Sequence, residues 1–163
     1  MSDKIISKKV QKDLIHFWGK VGLIVQLSQM VEYNLSNILS ADEVLREFED
    51  NDSMFLFEYN ELARKANEWY DKLNMRPLGT VLKRAEEIKY FTKDFFVKLK
   101  DICERRNYVV HKLFKEDLTK KHLENNPRFY FEYLEKLIED MNEINIELVA
   151  FFQKQKQELK LIY

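Results

Sequence analysis

At 163 residues with 45% hydrophobic side chains, the chain carries enough apolar material for one core and too little length for two comfortable domains, so residues 1–163 read as a single domain. A net charge of -1 and a pI near 6.3 exclude a general polyanion binder and an acidic tail; any anion affinity must be local. One cysteine, Cys103, excludes an internal disulfide framework and a cysteine-rich zinc module.

Only 3 Gly and 2 Pro interrupt a composition that is 34% charged, which favours long helices with few breaks. The expected fold is all-α, a bundle of about five helices with long antiparallel core helices. No charged-then-apolar leader and no apolar run fit to cross a bilayer are present, so a cytoplasmic, membrane-free setting is expected.

The first helix is expected over Lys8 to Leu39, where Leu14, Phe17, Trp18, Val21, Ile24, Val25, Val31, Leu35 and Ile38 recur by threes and fours. Gly19 and Gly22 lie three apart on it, suited to a tight helix crossing within the bundle or to self-association. Ser40 and Glu43 have capping-box spacing and predict a new short helix, ended by Glu49-Asp50-Asn51-Asp52-Ser53. A further helix is expected over Met54 to Leu73, its Phe55, Leu62, Ala66, Trp69, Tyr70 and Leu73 read as core. The break at Asn74-Met75-Arg76-Pro77 precedes a short helix from Leu78, and Thr92 is the expected N-cap of the next. The lysine-rich stretch Glu116 to Asn126, with His122, reads as loop. Pro127 then starts a long helix to about Leu159, with Leu134, Leu137, Ile138, Met141, Ile144, Leu148, Phe151 and Phe152 on its apolar side.

The helix after Thr92 places a cation where a hydrophobe belongs. Phe95, Leu99, Ile102, Val109 and Leu113 form one stripe, and the missing member is Arg106. A guanidinium stays charged, so in a core it must be paired, snorkelled or at a site. Lys98 to Lys121 holds eight cations against four carboxylates, a local excess of +4 around that arginine. Elsewhere there is no Gly-rich phosphate loop, no GxSxG, no HExxH and no paired carboxylates of the di-iron kind, so no cofactor and no metal are expected.

What remains is Arg106-Asn107-x-x-x-His111, which resembles the Arg-x4-6-His signature of the HEPN superfamily; Arg105 also satisfies the looser spacing. The resemblance implies a small all-helical domain, usually a homodimer and often a metal-independent endoribonuclease of toxin-antitoxin or antiviral systems. RNA and an antitoxin or other regulatory protein are the partners it implies.

The residues fit that chemistry on their own terms. Metal-free RNA cleavage needs a base for the 2'-OH proton, an acid for the leaving oxygen and a cation for the phosphoryl oxygens. Histidine suits the proton transfers and the arginine fork suits phosphate. His111 and Arg106 take these roles, and Asn107, four residues before His111, orients the imidazole or holds a phosphate oxygen. Arg105, Tyr108, Lys112 and Lys115 are candidate RNA contacts, Tyr108 by stacking on a base and the cations by following the backbone.

On a straight helix Arg106 and His111 point about 140° apart. Either the helix is distorted near Val109-Val110, or two copies share the site. A dimer also supplies a second histidine for the second proton transfer. Against this stands a purely structural reading, in which Arg106 pairs with a core-facing carboxylate such as Glu32 and the chain is a non-catalytic module or antitoxin-type scaffold binding a protein or nucleotide.

Overall fold

The computed structural model describes residues 8–49, 59–74, 76, 78–88, 91–113 and 127–161. Among them the chain is all-α: α1 (Lys8–Glu49), α2 (Tyr59–Asn74), α3 (Leu78–Ala85), α4 (Lys93–Asn107) continuing into a π-helical turn (Tyr108–Lys112), and α5 (Pro127–Leu161). The expected helix start at Met54, the Glu116–Asn126 loop with His122, and Lys115 lie outside the described residues.

The break expected at Ser40 does not occur, and α1 runs through it. The Ser40 hydroxyl donates to the Ser36 carbonyl at 2.6 Å, as the Ser28 hydroxyl does to Ile24, so the serine is satisfied inside the helix. Beyond it Ala41 and Val44 are buried and carry the apolar stripe onward. The acidic neighbours serve tertiary contacts instead of a helix start: Glu43 accepts from Arg84 Nε at 2.7 Å, and Glu47 accepts from Lys65 at 2.6 Å and Trp69 Nε1 at 2.9 Å. Thr92 does cap α4, its Oγ1 accepting the Phe95 N–H at 3.1 Å.

Helices α1, α4 and α5 are each divided between two compact units, residues 1–28 with 99–143 and residues 29–98 with 144–163. In the first unit, His16 meets Phe131 at 5.2 Å and Lys20 meets Glu135 at 2.8 Å, so α1 and α5 run parallel. Arg105 reaches Asp140 at 2.6 Å and Tyr108 reaches Tyr133 at 6.3 Å, which sets α4 antiparallel to α5. In the second unit, Asn34 donates to Asn145 at 3.1 Å and Gln155 to the Ile38 carbonyl at 3.3 Å, again parallel. There α2 runs antiparallel to α1, with Tyr33 against Tyr70 and Glu47 against Lys65. The antiparallel relation expected of the core helices therefore holds for neighbours in sequence, while the two longest helices share a direction.

Most of the α1 stripe is buried, but Trp18 is 41% exposed. Phe17, one residue and about 100° away, takes the central position, and adjacent residues cannot both hold it. Gly19 and Gly22 are exposed, and a Cβ on either meets nothing within 4 Å, so neither serves a tight helix crossing among the described residues. Cys103 is buried as a small core side chain.

Candidate functional site

The candidate residues lie where α4 gives way to the π-helical turn, within residues 99–143. The Leu113 N–H bonds the Tyr108 carbonyl at 3.1 Å, five residues back rather than four. The β-branched pair Val109-Val110 lies inside this turn, where crowding against the preceding turn disfavours regular α-helix. Val109 and Leu113 are both buried, so the wide turn keeps both apolar anchors inward.

The widened turn changes how Arg106 and His111 point. Each residue of an i→i+5 turn advances the chain by less than the α value of about 100°. With the steps from Tyr108 to His111 narrowed, the Arg106–His111 separation falls below the straight-helix value of about 140°. A distortion near Val109-Val110, one of the two alternatives, is present, and it narrows the angle between the two positions.

Arg106 occupies the stripe position with its stem and its Nε, which is buried. Its neighbours Ile102, Cys103 and Val109 are buried while Arg106 as a whole is half-buried. Its Nη1 donates to Asn107 Oδ1 at 3.0 Å. A guanidinium only donates, so the Asn107 carbonyl must face it, leaving the amide N–H donors of exposed Asn107 outward. Asn107 thus orients the arginine rather than the imidazole. The His111 side chain is exposed and makes no hydrogen bond, ion pair or ring contact among the described residues. Lys112 is exposed beside it.

Arg105 is used differently. Its Nη2 donates to Asp140 at 2.6 Å and its Nε lies 2.8 Å from Asp101, joining α4 to α5 with side chains that are 21% and 19% exposed for Arg105 and Asp140. Burial alone pushes the Asp140 carboxyl up, but hydrogen bonds from Arg105 and from Lys136, whose Nζ lies 3.0 Å away, outweigh it and hold the group below its ordinary range.

An aromatic cluster completes the surroundings, and sequence reasoning found only one member of it. Tyr108, 41% exposed, packs edge-on against Tyr133. Burial pushes the phenols of Tyr133 and Tyr130 upward, with Tyr108 adding to both, so they stay neutral at physiological pH. Tyr130 and Tyr133 sit three apart near the start of α5, a spacing that placed them on one helix face but gave no sign of the partner helix. An exposed aromatic ring, Tyr108, beside cations matches what single-stranded nucleic acid uses, a stacking surface next to phosphate donors.

Among the described residues no group of three or more His, Cys, Asp or Glu side chains is arranged to hold a metal ion, and no helix is long and apolar enough to cross a membrane. Comparison of the chain with protein-family models, curated proteins and solved structures finds no match.

Proposed function

We propose that this protein is a metal-independent endoribonuclease of HEPN type, acting as a homodimer in a toxin-antitoxin or antiviral setting and held in check by an antitoxin or other regulatory protein. The observation that supports this reading is the π-helical turn, which narrows the helical angle between exposed His111 and Arg106, whose guanidinium donates to Asn107. Arg106 and the outward Asn107 amide donate to the phosphoryl oxygens as charge builds there. His111 takes the 2'-OH proton, or delivers one to the departing 5'-oxygen. Attack of the 2'-oxygen on phosphorus breaks the P–O5' bond, leaving a 2',3'-cyclic phosphate and a 5'-hydroxyl.

One histidine per chain serves one of these transfers. The second histidine comes from a second copy, which is the reason for a shared site. Tyr108 receives a base, and Lys112 follows the backbone.

Purified protein incubated with total RNA in EDTA tests the reading, alongside Arg106→Ala and His111→Ala. Cleavage that survives both substitutions contradicts the site; cleavage that requires added metal contradicts the mechanism. The non-catalytic alternative draws on Arg105, whose ion pairs with Asp101 and Asp140 give part of the motif a structural task. It predicts binding of a protein partner or a nucleotide with no cleavage in any variant.

A further inference from the structure

A concave site lies within residues 29–98, and none of its lining residues belongs to the Arg106 motif. It is a cleft of about 410 Å³ lined by α2, α3 and the segment joining them, with Glu43 of α1 at its wall. That volume suits a small ligand. Its lining combines an indole, Trp69, a hydroxyl, Thr80, and four cations, Lys72, Arg76, Lys83 and Arg84, against two carboxylates, Glu43 and Glu87.

The charges are not balanced pair by pair. Arg84 engages both carboxylates, donating from Nε to Glu43 at 2.7 Å and pairing with Glu87. Lys72, Arg76 and Lys83 make no ion pair among the described residues and are exposed. Arg76 is set in place by its N–H, which donates to the Leu73 carbonyl at 2.9 Å. The indole is equally fixed, since its Nε1 donates to Glu47 at 2.9 Å and it packs against the buried Val44–Leu62 pair. The Lys72 ammonium lies 4.5 Å from the centre of the ring, so a cation already stands over the aromatic platform.

An indole fixed by Glu47, a hydroxyl and an excess of cations, of which Arg76 and Lys83 have no ion pair among the described residues, match the two halves of a nucleoside phosphate, a flat base and an anionic phosphate. We propose that this cleft binds a nucleoside phosphate, with the base taking the place of the Lys72 ammonium over the Trp69 ring and the phosphate held by the displaced Lys72 together with Arg76 and Lys83. The same chemistry occurs in a free nucleotide and at the 5'-phosphorylated end of an RNA chain. Binding here requires neither Arg106 nor His111, so it stands apart from the ribonuclease reading.

The test is emission from Trp69 in a Trp18→Phe background, titrated with ADP, adenosine, inorganic pyrophosphate, and a trinucleotide RNA with and without a 5'-phosphate. Saturable quenching is expected with a Kd below about 1 mM for ADP or the phosphorylated RNA, and adenosine and pyrophosphate each bind at least about tenfold more weakly. Whichever of ADP and phosphorylated RNA binds tighter identifies the source. The double variant Arg76→Ala/Lys83→Ala, with both side chains exposed, keeps its circular dichroism and loses at least about tenfold in affinity. Absence of quenching by ADP and by the phosphorylated RNA, affinity unchanged in the double variant, or pyrophosphate binding as tightly as ADP each overturns the proposal.

Discussion

Leu113 bonds through its N–H to the carbonyl of Tyr108 at 3.1 Å, and this one i→i+5 contact decides what Arg106 and His111 can do together. A regular α-helix would send them to widely separated faces. With the wide turn, geometry no longer demands a second chain; the case for a dimer rests on the number of proton transfers, two, against one motif histidine per copy.

Tyr108→Ala is expected to raise KM for RNA about fivefold to a hundredfold with kcat within about threefold, because a stacked base is worth roughly 1–3 kcal/mol of binding. Tyr108→Phe keeps the ring and is expected to behave as wild type. Steady-state kinetics on a short single-stranded substrate check this, and a fall in kcat alone assigns Tyr108 another role.

Asp140→Asn is expected to destabilise the fold by about 1–3 kcal/mol, since Arg105 and Lys136 lose a charged acceptor in a half-buried place. The sign of its pH dependence follows from the direction of the shift. The carboxyl is held below its ordinary value, so its contribution is fully present above about pH 4 and is lost as pH falls through the lower, folded value. Urea midpoints of the wild type therefore fall more steeply with acid than those of Asp140→Asn.

Gly19→Ala and Gly22→Ala are each expected to stabilise the protein by about 1 kcal/mol, because both glycines lie inside α1 with open space where a Cβ would go. Thermal melts measure the gain. Sedimentation of the double variant adds a second outcome: self-association that disappears moves the dimer interface to this face of α1 and away from the motif.

Ser40→Ala is expected to change stability by less than about 0.5 kcal/mol. The Ser36 carbonyl is left with its helical bond, and alanine is the better helix former. An N-cap serine at this position would cost about 1 kcal/mol on substitution.

The helical class, Thr92 as a cap and the Pro127 start were legible, because local chemistry decides them; the distortion at Val109-Val110 was only one of two alternatives that the helical angle left open. Ser40-Ala41-Asp42-Glu43 misled for a physical reason: a capping box and a mid-helix serine differ only in which backbone group the hydroxyl finds, and the buried Ala41 and Val44 settle that through tertiary packing. Trp18 misled because hydrophobic spacing alone does not separate a stripe's centre from its edge. In the motif the odd arginine was visible, but the division of labour between Arg105 and Arg106 depends on Asp140, thirty-five residues away on another helix. The Tyr108–Tyr133 contact was hidden for the same reason.

The central claim is tested most directly by the rate at which wild type and His111→Ala cleave one RNA in EDTA, with product ends identified. The account predicts cleavage without metal, products ending in 2',3'-cyclic phosphate and 5'-hydroxyl, and a loss of about 10²- to 10⁴-fold in His111→Ala with its helical content unchanged. Equal rates for the two proteins, or no cleavage by the wild type under any condition, contradict it.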